Sequence, residues 1–142
     1  MAFTRISRAP IAQIHQVESP DFVILFDESV VGPQEVSQGQ IVQGASADST
    51  LLVNSRQQQS GFSKRFPGKV FHCPASEIAM SEISRDIPNV PMVGALLQIA
   101  KIFPLQEFSS NLKKILSALP EKIIAGNLRA FSRGAAEFFP VQ

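Results

Sequence analysis

His72 and Cys73 stand side by side just before Pro74. A thiol beside an imidazole is a pair that nucleophilic chemistry uses: the imidazole takes the proton and the thiolate attacks. Adjacent residues on a strand point to opposite faces, however, so the sequence sets these two side chains back to back. Cys73 follows Val70 and Phe71 and reads as a small buried hydrophobe rather than a nucleophile. His15 has no HxH or HExxH partner, and the chain's 2 histidines form no metal-binding pattern. Asp27 and Glu28 make a carboxylate pair at the end of the apolar run FVILF. An acid at such a place can hold a ribose hydroxyl, but only downstream of a Gly-rich phosphate loop, and residues 1–20 contain none. The competing reading has Asp27 capping the turn that follows. Asn54 closes a second apolar run, TLLV, and Ser55, Ser60 and Ser63 surround a polar loop without the GxSxG pattern of a serine nucleophile. Asn127, set among Ile124 and Leu128, should be hydrogen-bonded to a nearby loop or a partner backbone. Gly94 is read as permitting close helix–sheet packing. No set of residues assembles an active site, so the sequence assigns no catalytic, cofactor-binding or metal-binding residue to this chain.

Periodicity supplies the elements that position these residues. The run FVILF at residues 22–26 is too short for a helix and reads as a central strand covered on both faces, the mark of a parallel sheet. Residues 2–7 (AFTRIS), 50–53 and 69–73 read as further strands. In open parallel sheets, ligands and partners meet the carboxyl ends of the strands, where Asp27 and Asn54 stand. Gly32-Pro33, Gly39 and Gly44 break a polar segment with at most a short helix near residues 34–37, and residues 57–68 read as a loop. Helices are expected at residues 75–84, 91–103, 105–119 and 121–139. The second of these, with Asn89 as its cap and Pro104 as its end, is apolar nearly all round and should be deeply buried. The third places Phe108, Leu112, Ile115 and Leu119 on one face; the fourth places Ile124, Leu128, Phe131 and Ala135 likewise. The fold class expected is α/β: an open, mostly parallel, Rossmann-like sheet with helices on both faces and a helical C-terminal third, forming a single domain over residues 1–142.

Composition narrows the function classes. A chain of 142 residues that is 44% hydrophobic can build one real core. Its net charge of +1 comes with scattered basic residues, which excludes a nucleic-acid groove. The single cysteine excludes an internal disulfide and any cluster or zinc site built on several thiolates, and suits a reducing, cytoplasmic setting. The longest apolar stretch, residues 91–103, is shorter than the ~20 residues of a membrane span, and no signal peptide precedes the first strand. A soluble cytoplasmic protein that engages neither nucleic acid nor membrane is expected. With 11 Phe but no Trp or Tyr, aromatic burial is wholly apolar and phenolic acid–base chemistry has no side chain to use.

The order AFTRIS, SPDFVILFDESVV, STLLVNS, CPASEIAMSEI, NVPMVGALLQIAKIF and AGNLRAFSRGAAEF resembles the gamma subunit of 2-oxoacid:ferredoxin oxidoreductases, most of all the pyruvate:ferredoxin oxidoreductase (pyruvate synthase) branch. The resemblance runs from Met1 to about Gly134 and rests on the order and spacing of individually weak motifs. It implies an α/β subunit of an enzyme that oxidatively decarboxylates a 2-oxoacid, passing the acyl group to coenzyme A and two electrons to ferredoxin. It implies alpha, beta and delta partners. Thiamine diphosphate and magnesium would lie between alpha and beta, and iron–sulfur clusters on delta and in some members on beta; no cofactor is implied for this chain. Met1 stands where the family has an internal residue, so the resemblance further implies that a first strand–loop–helix unit, rich in glycine, is missing. A sheet edge bared in that way would favour dimerisation of the isolated chain. Two other readings remain open on the residues alone: a free-standing α/β domain that binds a nucleotide or small acid at the Asp27 and Asn54 strand ends, and a sheet-edge adaptor.

Overall fold

The short apolar runs pair with one another in chain order. In the computed structural model, which describes residues 2–12, 15–27, 43–56 and 64–141, β1 (Phe22–Leu25), β2 (Thr50–Asn54) and β3 (Lys69–Cys73) form a parallel sheet. Phe22 lies opposite Thr50, and Thr50 opposite Lys69, so Leu25, Asn54 and Cys73 arrive together at the carboxyl end. A two-residue strand, β4 (Phe139–Pro140), joins β3 antiparallel, giving the order β1-β2-β3-β4. Pro140 has no N–H to donate and is tolerated there because β4 lies at an edge; Val141 N–H then donates to the Val70 carbonyl at 2.9 Å.

The helices are α1 (Ala75–Ile83), α2 (Asn89–Ala100), α3 (Leu105–Ile115) and α4 (Glu121–Ala136). None of the described helices is long and apolar enough to cross a membrane. Alternation along the strands divides the core in two. Leu52 and Cys73 face Ala75 and Ile78 of α1, Met92 and Ala95 of α2 and Ala130 of α4. Leu51, Val53 and Val70 face the other way, where among the described residues the cover comes from Phe66, Ala45 and Val141. α2 and α4 meet through a reciprocal glycine contact. A Cβ on Gly94 would lie 2.2 Å from the Phe131 carbonyl oxygen, and one on Gly134 would lie 2.0 Å from that of Pro91. Gly94 therefore serves helix–helix contact, not the helix–sheet contact that its sequence setting suggests.

Several expectations from the sequence change in the folded chain. Among the described residues β1 is the outer strand of the sheet rather than a central one, half-buried at every position. Residues 2–7 form no strand and pair with no strand among the described residues; Phe3 is 45% and Ile6 64% exposed. α2 begins at Asn89 itself, after Pro88, and stops at Lys101, whose left-handed backbone (φ 53°) ends the helix before Pro104 can. Ile102 and Phe103 are consequently outside it and exposed. α3 stops at Ile115, which is 77% exposed, and none of its residues is buried. α4 ends at Ala136 because the chain must extend to pair as β4. Asn127 donates to the Ile123 carbonyl of its own helix (2.8 Å), not to a loop or partner. The helix expected near residues 34–37, together with Glu28, Ser60 and Ser63, lies outside the described residues.

α1 and α4 are also clamped by charge. Glu82 accepts from Arg129 Nε at 2.7 Å and from Arg133 Nη1 at 3.1 Å, while Arg133 also grips Glu137 through Nε (2.6 Å) and Nη2 (2.9 Å). Hydrogen bonds from Arg129 and Arg133 hold the Glu82 carboxyl below its usual 4.5, and Arg133 does the same for Glu137. The folded value lies below the unfolded one, so this stabilisation is present above pH 4.5 and fades as the pH falls through the depressed value. Glu82→Gln is expected to lower unfolding stability by about 1 kcal/mol at neutral pH, in keeping with a partly exposed network. Denaturant titrations should show that difference close once Glu82 is protonated; a difference that persists in acid would mean the clamp acts through packing instead.

Candidate functional site

The parallel register leaves a cleft of about 530 Å³ at the carboxyl ends of β1 and β2, walled by the start of α1 and by the connection from α1 to α2. Asp27 and Asn54, the two residues marked by sequence, both line it. Asn54 holds its walls together. Its Nδ2 donates to the Phe26 carbonyl at 2.8 Å and to Ser76 Oγ at 3.0 Å, and its Oδ1 accepts the Ser76 N–H at 3.1 Å. The residue before α1 is Pro74, which makes no side-chain cap, so Asn54 supplies that cap from a different strand. One side chain thus ties β1, β2 and α1.

The lining chemistry decides what such a cleft favours. Asp27, Glu77 and Asp86 face it, with Arg56 as the only Lys or Arg among its described lining residues, and Arg56 is ion-paired with Glu77. Phosphates bind helix N-termini through free N–H groups and the positive end of the dipole. Here Asn54 takes the Ser76 N–H, and Glu77 places a carboxylate in the first turn. An acidic rim around a capped helix end disfavours a phosphate or a small acid. Asp86, Pro88 and Asn89 form the wall that sequence reading missed; the one signal was the polar turn between two helical stretches.

The other candidates are kept apart. Cys73 is fully buried on the helical face. His72 is 7% exposed, registers between Val53 and Phe139, and stacks against Phe139 at 5.4 Å. The alternation expected of a strand does separate the pair. Among the described residues neither ring nitrogen of His72 has a hydrogen-bond partner. His15 is exposed, with Nδ1 2.9 Å from the Gln16 carbonyl, and Arg5 donates to the carbonyls of both residues. Among the described residues no group of three or more His, Cys, Asp or Glu side chains could hold a metal ion.

Comparison with known proteins adds what the cleft does not. A family model described as pyruvate ferredoxin/flavodoxin oxidoreductase matches residues 1–137. The chain is 37% identical over 139 residues to pyruvate synthase subunit PorC of Thermotoga maritima, covering 96% of this chain and 69% of that protein. It is 32% identical over 130 residues to pyruvate synthase subunit PorC of Methanothermobacter marburgensis, covering 92% and 67%. It is 29% identical over 136 residues to the pyruvate/ketoisovalerate oxidoreductases common subunit gamma of Thermococcus kodakarensis, covering 93% and 71%. The crystal structure of the Thermotoga maritima PorC superposes with a TM-score of 0.76 over 89% of this chain and 67% of that one.

Proposed function

Because the chain belongs to the pyruvate ferredoxin/flavodoxin oxidoreductase family, we propose that it is a structural, non-catalytic gamma subunit of a cytoplasmic complex that converts pyruvate and coenzyme A to acetyl-CoA and carbon dioxide, with two electrons passing to ferredoxin. The observation that carries this reading is the agreement in sequence and fold with the Thermotoga maritima PorC, at 37% identity and a TM-score of 0.76. Alpha, beta and delta subunits are the proposed partners.

The non-catalytic part of the reading rests on how this chain's polar groups are spent. Asn54 is occupied in bracing the cleft. The one thiol is sealed in the core, and the described residues do not fit an iron–sulfur cluster or a metal ion. Thiamine diphosphate, magnesium and the clusters are proposed to lie in the partner subunits, as the family resemblance implies. One relative is named as the common subunit gamma of pyruvate and ketoisovalerate oxidoreductases. A subunit shared by two such enzymes suits a role that leaves substrate selection to other chains. A free-standing binding domain has the cleft in its favour, but the acidic lining counts against the nucleotide or small acid it would need.

The purified chain, given pyruvate, coenzyme A, thiamine diphosphate, magnesium and a viologen acceptor, should show no turnover. A tagged copy expressed in its source organism should co-purify with pyruvate-oxidising activity and at least two further subunits. Turnover by the chain alone, or its isolation without partners, would overturn the proposal.

A further inference from the structure

Around the turn from α3 to α4 the chain shows apolar side chains to solvent and surrounds them with lysine. α3 carries an apolar stripe of Leu105, Phe108, Leu112 and Ile115, and an amphipathic helix ordinarily buries such a stripe. Here none of its residues is buried; Ile115 is 77% exposed, and Leu119 in the turn is 44% exposed. The Leu119 N–H donates to the Leu116 carbonyl at 2.9 Å and the Ser117 N–H to that of Lys114 at 3.2 Å, which holds the turn compact. Lys113, Lys114 and Lys122 are all exposed and stand within a few positions of Ile115 and Leu119. At the other end of α3, exposed Ile102 and Phe103 follow exposed Lys101. Residues 101–122 thus hold four lysines against two glutamates, in a chain whose net charge is only +1. Arg129 and Arg133 of α4 are ion-paired with Glu82, whereas among the described residues none of these lysines has an ion-pair partner. Lys113 and Lys114 suit the negative end of the α3 dipole. Lys122 does not: it is the second residue of α4, where the dipole favours an anion.

We propose that the α3–α4 turn is the contact through which this chain docks onto another subunit of its complex, on a surface of aliphatic side chains ringed by aspartate and glutamate. Ile115 and Leu119 form the dry centre of the contact, and Lys113, Lys114 and Lys122 form its charged rim, the usual anatomy of a protein–protein interface. Lysines without a partner in their own chain meet an acidic rim with no existing ion pair to break, and complementary charge then selects the partner and fixes its register. The proposal rests on the reading of the chain as a gamma subunit and names the surface that such a subunit uses. Two-fold contact of the patch with a second copy suits it less well, because two copies double the excess of lysine at the contact. A membrane surface also suits it less well: the polar side of α3 offers exposed Glu107, Ser110 and Asn111, not the basic run that binds anionic lipid.

The test uses the complex purified from the source organism through a tagged copy of the full 142-residue chain. A water-soluble carbodiimide joins an amine to a carboxylate that touches it. Mass spectrometry of the treated complex should find Lys113, Lys114 or Lys122 joined to an Asp or Glu of another subunit. In a second measurement, the Lys113→Glu, Lys114→Glu double variant and the Ile115→Ser variant, all at exposed positions, should keep the circular dichroism of the unaltered chain. Each should nevertheless capture the other subunits at least ~10-fold less well. Cross-links that stay within this chain or join two copies of it would overturn the proposal, as would undiminished capture by both variants. So would sedimentation of the chain with phosphatidylglycerol vesicles that the same variants abolish. The gamma-subunit reading would survive each of these results, whereas an unaltered chain that captures no subunit would overturn both.

Discussion

Gly134→Ala is expected to lower unfolding stability by about 3 kcal/mol, the upper part of the usual range for overpacking a closed contact. The added Cβ would lie 2.0 Å from the Pro91 carbonyl oxygen and 2.6 Å from Pro91 Cα, both backbone atoms with no rotamer to yield. The helices must therefore separate, and because Gly94 rests on the Phe131 carbonyl in the same crossing, its contact is lost with it. Gly94→Ala should do comparable damage. The double variant should fall short of the sum, since either change alone already opens the crossing. Chemical denaturation of the three variants checks this; a loss under 0.5 kcal/mol for Gly134→Ala, the level of an ordinary surface change, would mean that α2 and α4 pack less closely than described.

The Cys73 thiol should be almost inert while the chain is folded. Burial first, and the Glu137 carboxylate second, push its pKa from 9.0 up to about 12. At pH 8 the reactive thiolate fraction then falls by roughly a thousandfold against an ordinary cysteine, and alkylation by iodoacetamide should slow by at least that factor until denaturant is added. The shift also gives stability an alkaline dependence. The folded value exceeds the unfolded one, so the contribution is complete below pH 9.0 and declines as the pH rises from there toward 12. The slope in that window should approach about 1.4 kcal/mol per pH unit, and Cys73→Ala should lack it. Rapid alkylation of the folded chain would return Cys73 to the list of chemical groups.

Where one covered face or a clear local signal decides the outcome, residues and structure agree. β2 and β3 are short, apolar and flanked by turn residues, and they fold as strands in parallel register. His72 and Cys73 separate because strand alternation leaves no other arrangement. What was not legible depends on distant partners. Nothing local distinguishes an inner strand from an outer one, so FVILF reads as central although its described neighbour lies on one side only. The end of α4 is set by β4, whose pairing partner stands about seventy residues earlier in sequence, opposite His72. Asp27 and Asn54 could be picked out as strand-end polar residues. That Asn54 serves as the missing cap of α1 could not, because Pro74 shows only that the helix lacks a local cap, not where another comes from.

The thin attachment of α3 divides the molecule into two tiers of stability. None of its residues is buried, and its ring contact with the body is Phe108 stacked on Phe131 at 5.1 Å. The free energy that keeps a segment closed scales with the apolar surface it covers, so α3 can unfold locally while β2, β3, α2 and α4 stay intact. Global measurements of unfolding will report the more stable tier, the core, and miss this motion. A protein seated on the helix would register chiefly as a loss of conformational entropy in α3, with the sheet and its cleft left as they were.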